Sequence, residues 1–288
     1  MKSERLAAYL ARIGLSAPPP ATPEGLALLQ QAHRQAITFE NLDIMLGRGI
    51  AIDSDAVFGK LVTRRRGGYC FEQNRLFADM LAELGLPSRP LLARVLLGPA
   101  ADEIPPRTHT LLMLEIAGER WIADAGFGGS YVPPLRLADG SEAETGDGAR
   151  HRLRPIGAAG TVPGEWLLER AGQHVATDGR AAAHGEWQAQ YAFNLTPAEQ
   201  SDLEQANHWT ATRPATRFTT LHVVSIALPG GFAAMTDRHL SLAQGDEAER
   251  RQVTDAADYR ITLRDRFGLD LGEGEIARLP LFAAGTGA

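Results

Sequence analysis

Cysteine is nearly missing from this sequence: Cys70 is the only one in 288 residues. A single thiol excludes an intrachain disulfide and a multi-thiolate metal site. No zinc-ligand or P-loop spacing is present either, so no metal is expected. No apolar run approaches the ~20 residues of a membrane span. The opening MKSERLAAYLARIGL carries charges inside its apolar pattern and lacks the continuous stretch of a secretory signal. A cytoplasmic location is expected. Positive charge is not in excess: 29 Lys and Arg against 35 Asp and Glu leave a formal charge of −6. That excludes a global basic field, so neither nucleic acid nor a membrane surface is an expected partner. A small phosphate-bearing ligand stays admissible, because local positive groups can dominate. There is no fixed-period repeat. What remains is globular in composition, 44% hydrophobic and 22% charged, with length for two domains, one elaborate one or three small ones.

The periodicity divides the chain. Leu6, Tyr9, Leu10 and Ile13 recur at helical spacing until Gly14. Thr22 and Pro23 open a second helix through Leu26, Leu29 and His33. Residues 39–43 read as a connector. A third helix is predicted over 70–84, with Phe77, Met80, Leu81 and Leu84 on one face and Gly85 and Pro87 as its stop. From about residue 90 the pattern becomes strand-like, over 89–97, 108–116, 120–125, 164–170 and 187–194. Residues 137–165 read as loop or weak hairpin. Thr196-Pro197-Ala198-Glu199 has the spacing of a helix start. Strands near 218–228, 231–236 and 239–243 and a helix over 255–267 complete the reading.

The most informative stretch is Arg66-Gly67-Gly68-Tyr69-Cys70-Phe71-Glu72-Gln73-Asn74. Two glycines permit close backbone approach, and Cys70 then falls at a helix N-terminus. Unpaired N–H groups and the helix dipole favour thiolate there, so its pKa is expected to fall. A thiol nucleophile needs a base, and the base an orienting group. His109 lies in a clear strand, and Asp124 lies in the returning strand after the Ala117-Gly118 turn. A two-residue loop pairs Ile116 with Glu119. It then puts His109 and Asp124 on one face, a diagonal step of about 7–8 Å apart. A loop with an odd residue count would send them to opposite faces.

These segments resemble the arylamine N-acetyltransferases. The likeness is carried by Ile37-Thr38-Phe39-Glu40-Asn41-Leu42, the Arg66–Asn74 run, Thr108-His109, Asp124-Ala125-Gly126-Phe127-Gly128 and Thr212-Arg213-Pro214-Ala215-Thr216-Arg217-Phe218. Thr38 stands where the family commonly has proline, and Thr216 replaces its usual serine. No insertion enlarges the middle of the chain, which is similar to the bacterial type.

The resemblance implies an α+β fold: a helical N-terminal bundle over 1–88, a central β-barrel over 89–190 and a C-terminal α/β lid over 191–288, around a cysteine-protease-like core. It implies a triad of Cys70, His109 and Asp124. It also implies ping-pong transfer of acetyl from acetyl-CoA, as acetyl-donor cosubstrate, to an aromatic amine or hydrazine. Phe39, Tyr69, Phe127 and Phe218 become candidates to line the acceptor pocket. Gly128 and Gly129 would border the coenzyme A cleft, and Thr216 would contact the cosubstrate. The triad alone leaves open a thioester hydrolase or an amide synthase acting on a carrier-bound acyl chain. The oligomeric state, including a homo-oligomer, is also open.

Overall fold

The computed structural model describes residues 3–98, 103–180 and 186–282. The first two helices are Glu4–Arg12 and Pro23–Ala36. Ser3 Oγ accepts from the Leu6 N–H at 3.1 Å, and Thr22 Oγ1 accepts from the Gly25 N–H at 3.2 Å. Both are N-caps that satisfy otherwise orphaned donors. Pro23 occupies the first helical position, where its missing N–H costs nothing. The third helix, Cys70–Glu83, packs Phe77, Met80 and Leu81 against Leu6, Tyr9, Leu26 and Leu29 in one core. Between these helices, Ser54–Phe58 continues as a π-turn over Gly59–Thr63. The periodicity did not reveal this piece, which is too short to show a repeat.

Eight antiparallel strands form the central sheet. Their order is Leu135–Arg136, Glu119–Ala123, Arg107–Ile116, Ser88–Val95, Gln188–Phe193, Trp166–Ala171, Arg150–Pro155 and Ser141–Glu144. The two edge strands approach each other, so the sheet curls into a near-closed barrel. Leu91, Leu111, Ile122, Leu153, Leu168 and Tyr191 belong to its core. Within residues 137–165, read as loop or weak hairpin, Ser141–Glu144 and Arg150–Pro155 form a hairpin in which Ser141 pairs with Leu153, and 156–165 is loop.

The second sheet has five strands, in the order Phe39–Glu40, Val223–Leu228, Gly231–Thr236, His239–Gln244 and Glu247–Gln252. The helix Ala256–Phe267 packs Tyr259, Leu263 and Phe267 on Val224, Met235 and Leu240. The architecture is α+β, as the resemblance implied.

Three expectations need correction. The strand expected near 218–228 is only Val223–Leu228, because Arg217–Thr220 before it forms a helical turn. Residues 39–43 are more than a connector: Phe39 pairs with Ser225 and Glu40 with Val224, and Leu42 enters the C-terminal core. A two-residue strand is too short for alternation to show. The helix expected at Thr196 is Gln200–Thr212. The Ala198 N–H is instead donated to the Pro90 carbonyl, which ties that segment to the barrel. The Asp202 carboxylate accepts from the Glu199 N–H at 2.9 Å, so the cap sits three residues later. No helix among the described residues is long and apolar enough to cross a membrane.

Candidate active site

Cys70 is the first residue of its helix, and the approach to it is crowded. A Cβ on Gly67 would lie 2.3 Å from the Thr38 carbonyl oxygen, and one on Gly68 would lie 2.7 Å from Glu72 Oε2. Only glycine lets the chain pass there. Glu72 Oε2 accepts from the Tyr69 N–H at 3.0 Å, closing the helix N-terminus. Glu72 Oε1 lies 2.8 Å from Lys60 Nζ, which also reaches Asp43 at 2.8 Å. Arg66 binds Glu40 at 2.9 Å. These buried ion pairs brace the turn that presents the thiol. Removing one partner would leave a charge uncompensated in the interior.

The register argument holds. Ile116 pairs with Glu119 and Met113 with Ile122. His109 and Asp124 meet on one face, with Nε2 2.7 Å from Oδ2. Nδ1 is left as the ring nitrogen that can serve the thiol. Asp124 Oδ1 accepts from Asn74 Nδ2 at 3.1 Å and from the Gly126 N–H at 2.9 Å. Burial would push the Asp124 carboxyl up. The attraction of His109 and hydrogen bonds from His109, Asn74 and Gly126 outweigh it and hold the group below its usual range.

Cys70 differs from expectation. Burial pushes its thiol up and the charge of Asp124 adds to the rise. Backbone hydrogen bonds at Thr110, Phe71 and Cys70 itself pull the other way but do not win. The helix N-terminus therefore does not make a thiolate unaided, because desolvation penalises the anion more. Sγ lies 3.6 Å from the Thr108 carbonyl oxygen, next to His109 in the chain.

Cys70 and His109 share a cavity of about 280 Å³. Phe39, Phe127, Phe218, Gly128 and Thr216 line it with them. Tyr69 and Gly129 do not line it. Tyr69 packs edge-on against Phe218, 5.7 Å between ring centroids, and its hydroxyl is bonded to the Asn207 side chain. Gly129 lies behind the wall, where its carbonyl accepts from the Asp178 N–H at 2.8 Å. Gly126 and Gly128 are required by close approach. A Cβ on Gly126 would meet Asn74 Nδ2 at 2.6 Å and Cys70 Cα at 2.8 Å; one on Gly128 would meet the Phe39 ring at 2.6 Å.

Sequence reasoning missed the supports of the triad. Asn74 donates to both the Thr110 carbonyl and Asp124 and accepts from the Ala125 N–H. Gln30 accepts from the Asp124 N–H at 2.9 Å and donates to the Val132 carbonyl at 2.7 Å. Tyr191 and Phe127 pack against the imidazole, with ring centroids 5.0 and 5.3 Å away, and against each other at 5.2 Å. A polar residue on the buried face of a helix, as Gln30 is, was the available signal.

Known proteins resemble this chain over most of its length. Residues 23–276 match the family described as N-acetyltransferase. The arylamine N-acetyltransferase of Escherichia coli K12 is 37% identical over 271 residues, covering 93% of this chain and 89% of that protein. The solved arylamine N-acetyltransferase of Salmonella typhimurium superposes with a TM-score of 0.86 at 35% identity, covering 97% and 98% of the two chains. The Mycobacterium marinum arylamine N-acetyltransferase, solved in complex with CoA, gives 0.83 at 33% identity, covering 95% and 98%.

Proposed function

The chain belongs to the arylamine N-acetyltransferase family, and on that premise we propose that it transfers acetyl from acetyl-CoA to an aromatic amine or hydrazine through a thioester on Cys70. One observation carries this reading: a buried thiol shares its cavity with an imidazole held by an ionised carboxylate.

His109 takes the Cys70 proton at Nδ1, and Asp124 stabilises the resulting imidazolium. The thiolate attacks the acetyl carbonyl. The carbon–sulfur bond to coenzyme A breaks, and the departing thiolate takes the proton from His109. A neutral arylamine then attacks the Cys70 thioester. Its proton passes to His109, and the amide leaves as the thiolate is regenerated. The rise in the thiol pKa makes this proton transfer part of the mechanism: without the imidazole, Cys70 stays protonated. An arylamine is neutral at pH 7, unlike an alkylamine, and the phenylalanine rings lining the cavity suit its flat apolar body. The same apolar lining favours amine over water as acceptor.

The expected bounds at 88/89 and 190/191 fall inside the barrel strands Ser88–Val95 and Gln188–Phe193, so the division becomes a helical unit to residue 87 that lends Phe39–Glu40 to the second sheet, a barrel over 88–193 and an α/β lid from 194 on, working in the cytoplasm. Initial rates measured over both substrates test the function. Parallel double-reciprocal lines are expected, as for a covalent acetyl-enzyme. Intersecting lines would mean direct transfer in a ternary complex.

A further inference from the structure

The cavity that holds Cys70 is also lined by Asp178, Arg180 and Arg217, which the mechanism above does not use. Asp178 Oδ2 lies 2.7 Å from Arg180 Nε and 3.3 Å from Arg217 Nη2. The Asp178 side chain is 2% exposed, those of Arg180 and Arg217 are 23% and 22%. Among the described residues this one buried carboxylate pairs with both guanidiniums; the trio by itself carries one net positive charge, which Asp237 offsets in part at Arg217. Through the Asp178 N–H it is fastened to the Gly129 carbonyl, in the glycine turn beside the nucleophile. Arg217 Nε is buried and has no hydrogen-bond partner among the described residues. Burial and the neighbouring Arg180 push the Arg217 guanidinium down from its ordinary range. Two cations on one anion, with a donor left open, form a site that an incoming anion completes. The cavity's remaining carboxylate among the described residues, apart from Asp178, is the exposed Glu103.

We propose that Arg180 and Arg217, held by Asp178, bind a phosphoryl group of the acyl donor and thereby select a phosphate-bearing thioester over a neutral one. The inference rests on the acetyl-CoA reading above and deepens it. Guanidinium matches phosphate in shape and charge, and stays protonated while partly desolvated. The placement suits the donor: its anionic end remains at the partly solvated rim while the thioester reaches buried Cys70. It also explains how a chain of net negative charge can take an anionic substrate.

A carboxylate on the acceptor presents related chemistry, and the two half-reactions separate the sources. Acylation of Cys70 is followed by mass in the absence of amine, with acetyl-CoA and with p-nitrophenyl acetate, which carries no phosphate. For Arg217→Gln, the ratio of the two acylation rate constants is expected to shift against acetyl-CoA by roughly 10- to 100-fold, the loss of a charge-assisted hydrogen bond. Arg180→Gln shifts it in the same direction and carries the test if Arg217→Gln does not fold. Arg217→Lys restores part of the ratio. An unchanged ratio in both glutamine variants overturns the proposal. So does a selective loss in discharge by 4-aminobenzoate relative to aniline with the donor ratio intact, which would assign the arginines to the acceptor. Wild-type protein acylated by p-nitrophenyl acetate but not by acetyl-CoA overturns the donor reading itself, and the proposal with it.

Discussion

At the floor of the cavity Cys70 and His109 are each 2% exposed, and Asp124 behind the imidazole is 1% exposed, whereas at the rim Arg180 and Arg217 keep about a fifth of their side chains in solvent. The floor is held from three directions: the nucleophile helix through Asn74, the second helix through Gln30, and the barrel through the strand of His109 and the strand that ends just before Asp124. Among the described residues, the ion pairs at the rim rest on a single carboxylate. Positioning a proton relay within hydrogen-bond reach needs rigid, desolvated surroundings. Capturing a charged substrate from solvent needs charges that solvent can reach. Changes at the floor should therefore act on the chemical steps, and changes at the rim on the choice of donor.

The largest effect should come from Cys70→Ala. It removes the nucleophile, and acetyl transfer is expected to fall to background in a steady-state assay with the fold intact by circular dichroism. Next is Asp124→Asn, which keeps the shape but gives His109 a neutral partner. Single-turnover acylation is expected to slow by roughly 10²- to 10⁴-fold. If the loss stayed below tenfold, the floor would not work as a relay.

Asn74→Ala comes third. It leaves the Thr110 carbonyl and the Ala125 N–H unpaired and takes one donor from Asp124. A stability loss of about 2–4 kcal/mol is expected in urea unfolding, together with slower acylation. Salt should give a smaller effect and act only at the rim. Raising ionic strength screens exposed charges, so acylation by acetyl-CoA should weaken a few-fold relative to p-nitrophenyl acetate. A parallel decline with both donors would erase the distinction between floor and rim.

On activity near neutral pH the smallest effect comes from the buried histidines, which act on acid stability instead. Burial pushes His33 and His151 down to about 3, against about 6.5 when unfolded. Between those values the unfolded chain binds more protons than the folded one. Their contribution is thus fully present above pH ~6.5 and lost as pH falls toward 3, by up to about 1.4 kcal/mol per unit and per histidine. Both His151 nitrogens lack partners among the described residues, so His151→Phe should flatten the slope of unfolding free energy between pH 6.5 and 5.

The same contrast explains what was legible in the sequence. The long helices were readable because their apolar faces repeat and their caps are chemical signals, as at Thr22 and Pro23. The meeting of His109 and Asp124 was readable because a two-residue turn fixes the parity of a hairpin. The strand Phe39–Glu40 was hidden by its length, and Glu247–Gln252 by its polar composition: it lies at a sheet edge and its residues are largely exposed. The rise in the Cys70 pKa was hidden because desolvation depends on everything packed around the thiol, not on its helix alone. Tyr69 was placed in the acceptor pocket by its neighbourhood in sequence, yet its ring turns onto Phe218 behind the cavity wall. The rim was invisible for the opposite reason: Asp178 and Arg217 are 39 residues apart and meet only in the fold.

The most direct test of the account is the intact mass of the protein after mixing with acetyl-CoA alone, then with an aniline. One added acetyl group is expected, located on Cys70 by peptide mapping, that the aniline removes while acetanilide appears. An unmodified protein that still acetylates aniline when both substrates are present would contradict it, because the thioester would then play no part.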